Sequence, residues 1–233
     1  MRVYSTDSGS TPTKRATGKR NLVSPDVCKN ICSLRYSSYE GNWASDAFDG
    51  HGMYSDRRGS RYNGEWKQDK MHGKGVYVDA QGSEYDGQFQ LGKFHGIGKL
   101  HSITGEYYEG EFMLGKKNGL GKSKDLDGNV YTGEWQDNKR VGYGIYNDVL
   151  GGVYKGEYQN DVREGPGYYF WPEGEADAVV CRNDARVGKG VGWSSDRKRA
   201  WIMIDGEFQE HITVQDGKRI TERLGLEVPK ELF

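Results

Sequence analysis

The feature that most constrains this chain is an element that recurs every 23 residues. A Tyr-x-Gly-x-aromatic stretch occurs at Tyr39-Gly41-Trp43, Tyr62-Gly64-Trp66, Tyr85-Gly87-Phe89, Tyr108-Gly110-Phe112, Tyr131-Gly133-Trp135 and Tyr154-Gly156-Tyr158, with successive tyrosines 23 apart (62−39, 85−62 and so on). A Gly-x-Gly pair keeps the same step from Gly50/Gly52 to Gly188/Gly190, and a third glycine keeps it from Gly59 to Gly174. Three columns in step without an insertion mark a repeat architecture, in which each unit is one supersecondary element that buries its face against the next.

Numbering each repeat from its tyrosine as zero, positions 0, 2 and 4 alternate and share one face of a strand. Position 7 holds Asp46, Asp69, Gly92, Gly115, Asn138, Asp161 and Asp184, residue types that tolerate a positive φ, and position 8 often holds lysine. A two-residue hairpin turn at positions 7–8 is the expectation. That register sets aromatic 4 opposite glycine 11, glycine 2 opposite glycine 13, and tyrosine 0 opposite position 15. Asp56-x-x-Gly59, Asp79-x-x-Gly82, Asp125-x-x-Gly128 and Asp148-x-x-Gly151 predict three-residue loops, each a type I turn closed by a glycine bulge. The expected product is all-β: an elongated, single-layer, twisted antiparallel sheet of stacked β-hairpins, with short capping helices at its ends. Glycine weakens a strand, and a neighbouring ring that covers it restores burial, so the two residue types belong together.

Composition agrees with a thin sheet. Apolar residues are 34% of the chain, aromatics are 12%, glycine numbers 35 and mean hydropathy is −0.88. A formal net charge of −1 argues against nucleic-acid binding by bulk charge. No apolar run of ~18 residues is present to span a membrane. Three cysteines, Cys28, Cys32 and Cys181, form neither a disulfide framework nor a paired metal motif, which fits a reducing, cytoplasmic setting.

The flanks differ from the array. Residues 1–23 are basic and almost free of large apolar side chains, so a disordered tail is expected there. Ser24-Pro25-Asp26, followed by Val27, Ile31 and Leu34, predicts a short N-terminal capping helix over 24–35. The array is assigned to 36–195, about seven repeats, the last decaying to Asp177, Val179 and Cys181 at the Tyr, Gly and aromatic positions. In 196–233 the run Ala200–Ile204 predicts a strand. Thr213-x-x-Asp216 resembles a capping box for a short helix lined by Val214, Ile220 and Leu224 and ended by Gly225.

These motifs resemble MORN (membrane occupation and recognition nexus) repeats. The resemblance rests on Tyr-x-Gly-x-Trp, on Gly-x-Gly preceded by histidine at His72-Gly73 and His95-Gly96, and on the glycine turn. Lys117-Asn118 and Val141 before the Gly-x-Gly, and Ser123 where an aromatic is usual, depart from the pattern. The resemblance implies an elongated twisted sheet with a grooved aromatic face. It does not fix a function, because such arrays occur in membrane tethers, radial-spoke heads, cytoskeletal scaffolds, lipid-kinase regulatory segments and one lineage of methyltransferases.

Catalytic chemistry is not expected. His72 and His95 share position 10 in adjacent repeats, about 10 Å apart, too far for one zinc with ligands at ~2 Å. Glu65, Glu111, Glu134 and Glu157 form a column at position 3, interrupted by Gln88, with steps of about 10 Å and no cleft, unlike paired glycosidase carboxylates at ~5–9.5 Å. The Gly-x-Gly pairs lie within strands, not between a strand and a helix N-terminus, so they are not phosphate loops. After Ser195 only 38 residues remain (233−195), fewer than a catalytic domain needs. No metal and no cofactor is expected.

Two surfaces are candidate sites. The first is the aromatic face, where Tyr62, Trp66, Tyr85, Phe89, Tyr108, Phe112, Tyr131, Trp135, Tyr154 and Tyr158 are expected to form a largely exposed ridge and groove. Interfaces favour such residues, so this face is expected to take a partner protein, as a helix or an extended segment. The second is a basic long edge. It carries Lys70, Lys93, Lys116 and Lys139 at position 8, with Lys117, Arg140, Arg163 and Arg186 at position 9, and is expected to attract anionic phospholipid or an acidic partner. The leading expectation is a non-enzymatic interaction scaffold or adaptor, cytoplasmic and associated with cytoskeleton, cilium or membrane. A peripheral membrane tether and a regulatory subunit of an enzyme on another chain are the alternatives. Homo-oligomerisation through the sheet ends is open.

Overall fold

The structure is a computed structural model that describes residues 16–22 and 37–228. The chain divides into two units, Met1–Lys116 and Lys117–Phe233. In the first, β1 (Ala16–Leu22), β2 (Ser37–Ala44), β3 (Ala47–Ser55), β4 (Arg61–Lys67), β5 (Lys70–Val78), β6 (Glu84–Gln90), β7 (Lys93–His101) and β8 (Tyr107–Met113) pair in chain order, each antiparallel to the next. The second continues with β9 (Lys116–Lys124), β10 (Val130–Gln136), β11 (Lys139–Asn147), β12 (Val153–Gln159), β13 (Val162–Phe170), β14 (Ala176–Arg182), β15 (Ala185–Trp193), β16 (Ala200–Ile204) and β17 (Glu207–Ile212). These too pair antiparallel with their neighbours in sequence, and the helix α1 (Val214–Arg223) follows. The predicted antiparallel hairpin array is the fold.

Two parts of the expected register hold and one does not. Tyr62 lies opposite Tyr77 and Gly64 opposite Gly75, as the spacing predicts. The tight turn, however, sits at positions 6–7. Gln68 and Asp69 have φ of 49° and 64°, both positive as a type I′ turn requires, and Lys67 pairs with Lys70. The one-residue shift of the turn is absorbed by two extra residues on the second strand, Gly73 and Lys74, so that Glu65 faces His72 and Trp66 faces Met71. Aromatic 4 is therefore opposite position 9 of its own hairpin, and meets glycine 11 of the preceding repeat, as in Gly50 opposite Trp66.

The column at position 3 explains how this bulge survives. The Lys74 N–H, displaced from the ladder, donates to Glu65 Oε1 at 2.9 Å, and the Ile97 N–H donates to Gln88 Oε1 at 3.1 Å. An acceptor is what the site requires, so glutamine serves as well as glutamate. The carboxylates expected to be a solvated face thus hold backbone. On the opposite long edge the three-residue loops form as predicted. Asp79 N–H bonds the Ser83 carbonyl at 2.9 Å, and Asp79 Oδ1 accepts from the N–H groups of Gln81, Gly82 and Ser83. Three such bonds hold the Asp79 carboxyl below its usual range, although desolvation alone would raise it.

Two expectations about the ends are answered differently. Ala16–Leu22, expected to be disordered, runs as β1 with Gly18 opposite Gly41, which corrects the tail boundary for these residues. The physical reason is that ladder hydrogen bonds need only backbone, and β2 would otherwise present a row of unpaired groups. The helix expected at 24–35 lies outside the described residues. At the other end α1 forms, with the Thr213 hydroxyl accepting from the Asp216 N–H at 3.1 Å and Gly225 just past its end at φ 77°. It covers the face opposite the tyrosines, where Tyr168, Ala176, Ala178, Val191, Trp193 and Ala200 form a core cluster with Val214 and Ile220 against it.

Candidate partner-binding surface

The tyrosine at position 0 shapes the first face. Its ring lies over the paired glycines 2 and 13: a Cβ on Gly64 would stand 2.6 Å from Tyr62 Oη, and one on Gly75 2.5 Å. The hydroxyl then reaches the bulge, donating to the Glu65 carbonyl at 2.8 Å. Tyr85 and Tyr108 repeat this with the carbonyls of Gln88 and Glu111. The position 4 ring packs edge-on against this tyrosine, as Trp66 does on Tyr62 with centroids 5.0 Å apart, and Trp66 Nε1 donates to the Gly52 carbonyl at 3.1 Å.

This packing corrects the expected exposure of the aromatic face. None of the ten rings proposed as a partner surface is more than 8% exposed. Tyr62 meets Phe89 edge-on at 5.0 Å and Tyr85 meets Phe112 at 5.1 Å, so each repeat covers the next. A single layer can bury these side chains because rings stand on glycines, which leaves room for neighbouring rings to close over them.

The second correction concerns the basic edge. Lys70, Lys93, Lys116 and Lys139 are exposed at the first residue of their strands. Lys117, Arg140, Arg163 and Arg186 are not tips: they are half-buried, and the three arginines lie opposite Trp135, Tyr158 and Cys181. In the first unit position 9 holds Phe48, Met71 and Phe94, and Phe48 and Phe94 stack on Tyr39 and Tyr85 at 3.8 and 3.7 Å. In the second unit cations take that place. Lys117 Nζ stands 4.7 Å from the Trp135 ring centre, the Arg140 guanidinium 5.1 Å from Tyr158, Arg163 5.3 Å from Tyr169 and Arg186 4.4 Å from Tyr169. Guanidinium on a ring is a favourable contact that also keeps its edge available for hydrogen bonds.

Arg140 and Arg163 are each fixed by the following turn. Arg140 N–H and Nε donate to Asp161 Oδ1 at 3.0 and 3.4 Å, and its Nη2 donates to the Asp161 carbonyl at 2.6 Å. Arg163 repeats the arrangement on Asp184 at 3.0, 2.8 and 3.1 Å. Burial alone would raise the Asp184 carboxyl, but the Arg163 N–H and guanidinium hold it below its usual range. In the decayed repeat Asp177 stands where a tyrosine is expected. It accepts from Trp171 Nε1 at 2.8 Å and Arg186 Nη1 at 3.2 Å, while its own burial pushes its carboxyl upward. Two strands further on, Trp201 of β16 lies over Gly192 of β15 as the tyrosines lie over their glycines.

Between these groups the second unit has a groove of about 430 Å3, lined by Arg140, Arg163, Asp148 and Asp184 together with Tyr146, Tyr154, Tyr158, Tyr169, Phe170 and Trp171. Trp171 is 38% exposed. The signal for this groove was present in the sequence as the change of column 9 from Phe and Met to Lys and Arg. No group of three or more metal-binding side chains occurs among the described residues. No helix among them is long and apolar enough to cross a membrane.

Comparison with known proteins bears on the fold. Among curated protein sequences none matches the chain. Among solved structures it is similar to the TCP domain of SAS-4 (dCPAP) of Drosophila melanogaster, in complex with a proline-rich motif of Ana2 (dSTIL). That likeness has 10% identity and a TM-score of 0.41, and covers 78% of this chain and 98% of that one. It is also similar to the TCP10 domain of Danio rerio CPAP in complex with a STIL peptide, at 11% identity and TM-score 0.34, covering 86% and 98%. Likenesses this weak assign neither a partner nor a site to this chain. The model of the MORN repeat matches residues 39–61, 62–84, 85–107, 108–130, 131–148 and 154–176, which is more than half of the sequence and follows the hairpins described above. The chain belongs to the MORN repeat family.

Proposed function

We propose that this chain is a non-enzymatic interaction scaffold, and that a partner protein docks in the groove of its second unit. The observation that carries this reading is the replacement of self-stacked rings at position 9 by Arg140, Arg163 and Arg186. All three are held in place by neighbouring aspartates, and Arg140 and Arg163 line an open groove with partly exposed rings. Rings and arginine are the side chains that dominate interface energetics. The titratable columns that might have served catalysis are occupied structurally, Glu65 at a bulge and Asp79 in a loop. The test compares partners captured from the source cell by the wild-type chain, by an Arg163→Ala/Trp171→Ala variant and by Tyr143→Ala on the opposite face, where Tyr143 is 51% exposed. Loss of the same partner from the groove variant alone is expected. An unchanged set from a folded groove variant overturns the reading. Substituting Trp66 or Trp135 would not serve, because both are buried.

A second reading has its own observation. Leu91 and Leu114, 63% and 57% exposed, occupy turn tips at φ 52° and 53°, and each precedes glycine and then Lys93 or Lys116. Exposed leucines beside lysines fit an anionic phospholipid surface, with the apolar tip in the acyl boundary and the ammonium at the headgroup. Co-sedimentation with phosphatidylserine vesicles at low salt tests it, where attraction is strongest. Binding lost in a Leu91→Ser/Leu114→Ser variant supports it, and no binding by the wild type ends it. A cytoplasmic location with cytoskeletal or membrane association belongs to these readings and is tested by imaging the tagged chain before and after detergent extraction.

A further inference from the structure

The groove of the second unit is periodic. Arg140 and Arg163 occupy the same repeat position, as do Tyr146 and Tyr169, and all four line it. Across the strands one repeat is two strands, a step of roughly 9.6 Å. A polyproline II segment has three residues per turn at about 3.1 Å each, so it returns to the same orientation every ~9.3 Å. The two periods differ by only about 0.3 Å per repeat. An α-helix regains its facing after seven residues, about 10.5 Å, and so drifts roughly 0.9 Å per repeat. An extended strand regains it after two residues, about 6.7 Å, and falls out of step at once.

The chemistry of the groove agrees with its period. A polyproline II segment makes no internal hydrogen bonds, so its carbonyls are free acceptors, and its proline rings seek flat aromatic surfaces. Arg140 and Arg163 use Nε and Nη2 on Asp161 and Asp184, and among the described residues Nη1 of each has no partner. The hydroxyls of Tyr146 and Tyr169 likewise make no hydrogen bond among the described residues, and both rings are half-buried. The two guanidinium charges are paired with the two aspartates and Asp148 also lines the groove, so it offers donors and rings without an excess of positive charge. That suits a partner segment without acidic side chains.

We propose that this groove binds a proline-rich segment of a partner protein in the polyproline II conformation, laid across the strands. Arg140 and Arg163 donate to its carbonyls one turn apart, and the rings of Tyr146 and Tyr169 receive its prolines. This rests on the groove reading above and adds the conformation and composition of the occupant.

The test is an NMR titration of the full chain with an oligoproline of about nine residues, which spans roughly 28 Å. A glycine–serine peptide and a helical alanine-rich peptide of equal length serve as controls. Saturable shifts are expected with oligoproline alone, centred on the amides near Tyr146 and Tyr169. Affinity should fall about tenfold in Arg163→Ala, the loss that follows removal of a charge-assisted donor. Arg163→Lys and Tyr146→Phe should weaken binding without disturbing the fold, while Lys139→Ala on the exposed edge should not. Absence of oligoproline shifts in the wild type, or equal shifts in all variants, overturns the proposal. If oligoproline fails while capture of a partner is still lost in the groove variant, the groove reading stands and this occupant is wrong. If capture is also unchanged, both fall.

Discussion

Tyr62 and Gly75 are in contact across the hairpin so closely that a Cβ on the glycine would stand 2.5 Å from the tyrosine hydroxyl oxygen and 2.6 Å from its ring. The ring is pinned by its hydrogen bond to the Glu65 carbonyl and cannot move aside without giving up that bond. Gly75→Ala is therefore expected to destabilise the chain by about 1–3 kcal/mol, the usual cost of overpacking a filled site. Gly92→Ala is the matched control. Its φ is 80° with nothing within 4 Å of the added methyl, so only the left-handed backbone resists it, at about 1 kcal/mol. Urea unfolding of the two variants checks the order. Equal losses would mean that the ring is not what excludes a side chain at Gly75.

The pair Arg140 and Asp161 links one repeat to the next through both backbone and side chain. The Asp161 side chain is 45% exposed, so its charge is screened and worth little by itself. Its acceptor role toward the Arg140 N–H is that of a cap, whose loss costs about 0.5–2 kcal/mol. Asp161→Asn, which keeps an acceptor and tolerates the φ of 75°, should be nearly neutral, whereas Asp161→Ala should lose about 1 kcal/mol for the acceptor and about 1 kcal/mol more for the left-handed backbone. If both variants lose the same stability in thermal melts, the charge rather than the acceptor is what matters.

Burial also gives the array a signature at high pH. Desolvation pushes Tyr39, Tyr85 and Tyr158 up from 10.0 to about 12. Between pH 10 and about 12 the unfolded chain has lost protons that the folded chain keeps, so the unfolded state binds fewer protons and stability falls as pH rises. The contribution is complete below pH 10 and is lost as pH approaches 12. Spectrophotometric titration of the folded chain should find the phenols of Tyr39, Tyr85 and Tyr158 still protonated well above pH 10. Ionisation of all of them near pH 10 in the folded chain would contradict the burial.

The period, the strand pairing of tyrosines and glycines, the Asp-x-x-Gly loops and the Thr213 cap were all legible because each depends on a local residue preference. The turn was displaced by one position for a physical reason. Asp69 and Lys70 look like a turn pair, but the positive-φ residues are Gln68 and Asp69, and in other repeats Leu91 and Leu114 take that place. Leucine gives no sign of left-handed backbone. The two-residue bulge at Gly73 and Lys74 hides the shift, since Tyr62 still faces Tyr77. From that displaced turn followed the placement of Arg140 and Arg163 on an edge, when they stand on the rings. The expected exposure of the aromatic face failed separately. Edge-to-face contact between repeats, such as Tyr62 with Phe89, depends on how neighbouring hairpins lean, which the residue pattern does not encode.

The array ends where a helix replaces the next hairpin, and α1 can do so because Gly217 lets it approach. A Cβ there would lie 3.3 Å from Ala200 Cβ, Trp193 Nε1 and Val191 Cγ1. Trp193 is fully buried beneath it. Gly217→Leu should lift α1 from β15 and β16 at a cost of about 1–3 kcal/mol, because the contact has no slack. The helix start is the second lever. Thr213→Ala removes the bond to the Asp216 N–H and should cost about 1 kcal/mol, while Thr213→Ser should retain it. The two variants separate helix formation from docking. Both should make α1 amides exchange faster with deuterium. Gly217→Leu should also bring amides of β15 and β16 beside Trp193 into faster exchange, since it uncovers that face. A Gly217→Leu variant whose β15 and β16 amides keep wild-type protection would show that the core around Trp193 does not depend on α1.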